Sequence, residues 1–169
     1  MTFPRSVGQV PIYYNHKNTG RPADAANKYT SKYLDLPWTP LYPFGYGLSY
    51  TTFKVSALQL TQACIPTSGR VSVRAQVENT GSRAGDEVIQ LYLSRVGASV
   101  TRPVRELKAF QRVSLEPGEK KVVEFTLGPE HLGFYNGKMR YVVEPGFVKL
   151  FVGTSSEATL NASLELRVH

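Results

Sequence analysis

The residues able to do acid–base, nucleophilic or metal chemistry are present in this chain, but their spacing does not bring them together. Thirteen carboxylates are spread over 169 residues. The one adjacent pair with a turn before it, Asp86–Glu87, would point to opposite faces of a strand. His16, His131 and His169 are far apart and show no H-x-x-x-H spacing, so a zinc site is not expected. Asp24, Asp35 and Asp86 do not form a calcium loop. Ser49 lies in Gly47-Leu-Ser-Tyr50, which is not a nucleophile elbow. Gly8, Gly20, Gly45 and Gly47 are isolated turn glycines and build no phosphate cradle. Cys64 is the single cysteine, so no intrachain disulfide exists, and with no base beside it in sequence it reads as an inert thiol near the end of a strand. Asn161-Ala-Ser163 fits a glycosylation sequon and reads as a chance match. No catalytic residue, metal ligand or cofactor is expected from these groups.

The aromatics are different. Trp38, Tyr42, Phe44, Tyr46, Tyr50 and Phe53 fall within sixteen residues, and the stretch Pro40–Phe53 also holds two prolines and two glycines. Proline fixes φ and removes a donor, and glycine opens backbone conformations closed to other residues, so this is a shaped turn or docked linker. Its rings can stack on a sugar or pack on protein. Packing is the better reading, because aromatic side chains bury large areas. Trp38, Tyr42, Phe44, Tyr46 and Tyr50 are therefore the candidate carbohydrate or domain contacts.

The elements around this seam change character. Residues 1–38 are polar, rich in Asn, Lys, Tyr and Pro, and unable to bury enough apolar area alone. Within them Val7–Tyr14 is predicted as a strand interrupted by Pro11, and Asn15–Pro22 as loop. From Phe53 the pattern has period two. Val71, Val73, Ala75 and Val77 alternate with Ser72, Arg74, Gln76 and Glu78, and Ile89, Leu91 and Leu93 alternate with Gln90 and Tyr92. Further strands are predicted at Phe53–Leu60, Leu107–Leu115, Lys121–Leu127, Met139–Glu144, Phe147–Val152 and Leu160–Val168, with Glu116-Pro-Gly118 and Glu144-Pro-Gly146 turns between them. Pro129–Tyr135 reads as a single helical turn. Eight short strands without crossover helices predict an all-β, antiparallel β-sandwich with an irregular N-terminal extension.

Composition bounds the partners. A formal charge of +7 raises the question of nucleic acid, but the Lys and Arg are scattered and often sit beside carboxylates, as in Arg105-Glu106-Leu107-Lys108. A nucleic-acid partner is not expected. No apolar run approaches the roughly 18–20 residues that cross a bilayer, so no membrane partner is expected either. The N-terminus lacks the apolar stretch of a secretory signal.

Several ordered motifs resemble those of a known family. Pro40-Leu-Tyr-Pro-Phe-Gly-Tyr-Gly-Leu-Ser-Tyr-Thr51 resembles the junction that precedes the C-terminal fibronectin-III-like domain of family 3 glycoside hydrolases, the β-glucosidases and β-xylosidases. Glu78-Asn-Thr-Gly through Gly85-Asp-Glu-Val-Ile-Gln-Leu-Tyr92, Arg102-Pro-Val-Arg-Glu-Leu-Lys-Ala-Phe110 (Ala109 where Gly is common), Leu115-Glu-Pro-Gly118, Val143-Glu-Pro-Gly146 and Val152-Gly-Thr-Ser-Ser156 follow in the family's order. Upstream, Phe3–Asn15 and Thr19-Gly-Arg-Pro22 resemble the close of the preceding α/β sandwich domain. The resemblance implies three segments: 1–38 as a remnant of that domain, 39–52 as an aromatic linker, and 53–169 as a fibronectin-III/immunoglobulin-like sandwich. It also implies a periplasmic or secreted parent enzyme.

Retaining glycosidases need two carboxyls about 5–5.5 Å apart. The resemblance implies that the nucleophile and acid/base belong to the parent's other domains, and no counterpart of the nucleophile motif occurs here. The expected function is a non-catalytic accessory domain that stabilises a β-glucosidase-like enzyme. A carbohydrate-binding module is the alternative, and a free-standing small hydrolase a third reading. Expected partners are the parent's catalytic domains, a polysaccharide, and a second copy meeting through an exposed aromatic seam.

Overall fold

The computed structural model describes residues 1–95 and 97–168. Ten strands and one short helix follow a largely irregular N-terminal third. β1 (Phe53–Leu60), β3 (Val71–Asn79) and β6 (Lys120–Leu127) form an antiparallel sheet in the order β1-β3-β6. β2 (Cys64–Pro66), β10 (Leu160–Arg167), β9 (Gly146–Gly153), β4 (Gly85–Arg95) and β5 (Glu106–Leu115) form the second sheet in that order. β7 (Phe134–Tyr135) and β8 (Tyr141–Val142) make a small hairpin, and α1 (Pro129–Leu132) is one helical turn with proline at its start.

The two larger sheets bury one core between them. Val71, Val73, Ala75 and Val77 from β3 meet Ile89, Leu91 and Leu93 from β4 and Val148, Leu150 and Val152 from β9, all buried. These are the apolar members of the period-two stretches, because alternate Cβ atoms leave opposite faces of a strand. The all-β antiparallel expectation is met, with one exception: β2 runs parallel to β10, pairing Cys64 with Glu165.

Two local expectations need correction. Val7–Tyr14 is not a strand. Val7–Gln9 is a 3-10 turn, and no strand forms between Val7 and Tyr14. Cys64 does stand at the end of a strand, as the first residue of the three-residue β2, which the period does not predict. The strand placed at Met139–Glu144 shrinks to Tyr141–Val142, because Met139 takes a left-handed φ of 56° in the turn from β7. His169 lies outside the described residues.

The outer face of β4 departs from simple alternation. Gln90 and Tyr92 point away from the core, yet both are buried. What covers them is the N-terminal third of the chain.

Candidate functional site

The extension is first tied to itself. Gln9, the one buried residue before Thr51, accepts from the Arg5 amide (2.5 Å) and donates through Nε2 to the carbonyls of Pro37 (2.7 Å) and Thr39 (3.3 Å). Arg5 Nε donates to the same Thr39 carbonyl (3.0 Å), and Phe3 bridges to Tyr42. These bonds fix Trp38 and the start of the seam against residues 3–9.

The whole is then fastened to the sandwich. Tyr14 stacks on Phe44 (centroids 4.3 Å apart, 19° between planes) and meets Tyr92 edge-on at 5.8 Å. Gln90 Nε2 donates to the carbonyls of Gly45 (3.1 Å) and Thr154 (2.8 Å), while its Oε1 accepts from the Tyr92 hydroxyl. The Ser156 amide donates to the Phe44 carbonyl (2.8 Å) and the Val104 amide to the His16 carbonyl (2.9 Å). Burial pushes the Tyr92 phenol pKa up, so this hydroxyl stays a donor through the physiological range. Gly45 adopts φ +81°, and a Cβ there would run into the Gln90 amide; the glycine permits both the turn and the close approach.

The five candidate aromatics divide. Phe44 is docked inward on Tyr14. Tyr42 and Tyr46 stack on each other at 5.3 Å, with Phe3 edge-on to Tyr42 at 6.2 Å. With Leu48 and Pro43 they line an apolar depression of about 290 Å³. Tyr50 is 93% exposed. Trp38, 39% exposed, lies elsewhere: it lines a groove of about 1000 Å³ between the extension and the β5–β9 side of the sandwich. Tyr14, Gln90 and Tyr92, which organise the joint, were not singled out by sequence. The available signal was Tyr92, a large ring at an outward strand position.

The carboxylates are dispersed over the surface, and among the described residues six of the thirteen pair with cations. Asp86 pairs with Arg112, Glu124 with Arg74 (3.0 Å), Glu130 with Arg70 (2.7 Å) and Glu165 with Arg167 (2.8 Å). Hydrogen bonds from Ser114 and Arg112 hold the Asp86 carboxyl below its usual range, and that from Arg74 does the same for Glu124. Glu87 differs from the paired ones: half-buried, it is pushed up by desolvation and accepts from the next amide, that of Val88, at 2.9 Å. Asp86 is exposed and paired away from it, so the two adjacent carboxyls serve different surroundings. Among the described residues no group of three or more His, Cys, Asp or Glu is placed to hold a metal ion.

Comparison with known proteins places this architecture. A fibronectin type III-like domain model matches residues 87–156. The chain is 50% identical over 168 residues to a periplasmic β-glucosidase of Salmonella typhimurium, covering 98% of this chain and 22% of that protein. It is 45% identical over 158 residues to a β-xylosidase of Formosa agariphila, covering 94% and 21%. The chain carries a fibronectin III-like domain of the family 3 glycoside hydrolase type. A crystal structure of a Listeria innocua β-glucosidase in complex with glucose superposes with a TM-score of 0.90 at 46% identity, over 98% of this chain and 23% of that one. The family 3 likeness thus extends through the N-terminal third as well as the sandwich. The chain spans about a fifth of the length of the curated relatives it matches.

Proposed function

We propose that this chain is the non-catalytic accessory part of a family 3 glycoside hydrolase, and that its seam and extension dock against the parent's catalytic domains. On this reading residues 1–38 are the tail of the preceding α/β sandwich domain, 39–52 the linker and 53–169 the buttress. The observation that carries it is an asymmetry of exposed apolar surface. Of twenty-one exposed large apolar side chains among the described residues, fourteen precede Thr51. An apolar surface so concentrated marks an interaction face. Phe3, Tyr42, Tyr46 and Leu48 form its most compact part, and the joint at Gln90 holds that face in a fixed orientation. Separated from its partner, the same face favours self-association.

The test uses the Salmonella typhimurium β-glucosidase shortened by the part that this chain matches. Adding the chain is expected to restore a stable complex and raise aryl β-glucoside turnover, and a Tyr42→Ser/Tyr46→Ser variant is expected to weaken both. The chain alone is expected to show no turnover. Hydrolysis by the isolated chain that one carboxylate substitution abolishes would overturn the reading. So would complex formation indifferent to the two tyrosines.

A further inference from the structure

The groove holding Trp38 shares no lining residue with the Tyr42–Tyr46 depression, so it needs its own account. It continues into a second depression of about 670 Å³, and Pro11, Ile12, His16, Thr19, Trp38 and Val104 line both. Trp38 therefore stands where the two depressions adjoin. One side of its environment is set by Lys32, whose Nζ lies 5.9 Å from the ring centroid. Its backbone is clamped on both sides by the Gln9 bonds to Pro37 and Thr39.

The rest of the lining alternates rings with hydrogen-bonding groups. Tyr13 and Tyr14 contribute rings; Asn15, His16, Thr19 and Glu157 contribute donors and acceptors. The lining holds two cations, Lys17 and Arg105, and the second is already engaged. The Arg105 guanidinium lies 3.9 Å from the Phe151 centroid and donates to the carbonyls of Ser156 and of Ala158 (2.8 Å). A mostly apolar concavity with a few placed polar groups and a preformed backbone is what a small-molecule site requires. A pyranose ring has an apolar C–H face for an aromatic platform and a rim of hydroxyls for amide, imidazole and carboxylate partners. Two adjoining depressions of about 1000 and 670 Å³ have room for more than one such ring.

We propose that this groove binds a neutral β-linked oligosaccharide, with the Trp38 ring as the platform beneath one sugar unit. The choice of β-linked glucose oligomers as probes rests on the glycosidase reading above, while the groove and its platform do not. The groove and the Tyr42–Tyr46 depression share no lining residue, so substitutions in one are read apart from substitutions in the other.

Trp38 is the only tryptophan in the chain, so its emission reports on the groove directly. Titration of the full chain with cellotetraose or laminaritetraose is expected to give a saturable change in that emission. By calorimetry, Trp38→Ala should weaken binding by about threefold to tenfold or more, the scale of one aromatic contact. Trp38→Phe should retain part of it, and Tyr46→Ala should leave it unchanged, with circular dichroism confirming that each variant is folded. A flat titration overturns the proposal. Affinity unaffected by Trp38→Ala, equal loss in Tyr46→Ala, or stronger competition by dextran sulfate than by neutral oligomers would each overturn it as well.

Discussion

Val71, Val73, Ala75 and Val77 on β3 and Phe3, Tyr42, Tyr46 and Leu48 in the N-terminal third are all apolar, and they meet opposite fates. The first set is sealed between two sheets; the second is 45–89% exposed. The difference is one of available partners. A strand in a sandwich has a second sheet facing it, and the alternation of β3 is answered by that of β4 and β9. The extension has only the outer face of the five-stranded sheet, and that face is satisfied by a few contacts: Tyr14 and Phe44 against Tyr92, and the Gln90 amide against Gly45. The rest of its apolar surface stays exposed. One region is a finished core and the other, on the reading proposed above, is half of an interface.

Substitution can break that contrast. Leu91→Ala removes a fully buried side chain and is expected to cost about 3 kcal/mol in urea unfolding. Leu48→Ala, at a residue 89% exposed, should lie within about 0.5 kcal/mol of the parent chain. A comparable cost at both positions would mean that the extension is part of the core after all.

The next largest effect tests the hinge between the regions. Asn79 is fully buried at the end of β3. It donates to the carbonyls of Arg83 (2.7 Å) and Leu115 (3.0 Å), and it accepts from Thr51 Oγ1 (2.7 Å) and the Gly81 amide (3.1 Å). Asn79→Ala leaves these groups unsatisfied and should cost about 2–3 kcal/mol. Gln90→Ala should cost less, about 1–2 kcal/mol, and in a different way. Hydrogen exchange should rise at residues 44–46 and 154–156 while the core strands stay protected. Uniform loss of protection would show that seam and sandwich unfold as one unit.

The smallest expected effect is electrostatic and confined to the sandwich. Desolvation raises the folded-state pKa of Glu87, so the fold favours its neutral form. Its contribution to stability is therefore full below the unfolded carboxylate pKa and lost as pH rises through the raised folded value. Glu87→Gln should stabilise the chain at neutral pH by less than about 1 kcal/mol after solvent screening. The gain should vanish in acid, as read by thermal unfolding at the two pH values. The surface carboxylates behave oppositely: Asp86, Glu124, Glu130 and Glu165 are held low, so their pairing contributes above the unfolded pKa and fades as pH falls through the folded one.

Much of the fold is legible from period and punctuation. β1 runs over the predicted residues, β5, β6, β9 and β10 differ from their predicted bounds by a residue or so, and β3 and β4 contain the residues whose alternation predicted them. Each is long enough for its alternation to show, and proline–glycine turns mark several ends. β2 and β7 are too short to carry a period, and the Val7–Tyr14 stretch mimics one without having a neighbouring strand. The candidate aromatics are legible as a cluster, but their division into an inward ring, a stacked pair, an open ring and a groove-lining ring is not.

The sequence by itself determined the sandwich, because side-chain alternation is a property of the local backbone and needs no knowledge of distant residues. It also determined which family's motifs the chain carries. Only the tertiary structure decided that Gln90 and Tyr92, polar-face residues by their period, lie buried, and that Trp38 parts company with its aromatic neighbours. Those outcomes depend on contacts across long separations, Gly45 with Gln90 and Tyr14 with Tyr92, where loop geometry rather than local pattern selects the partner.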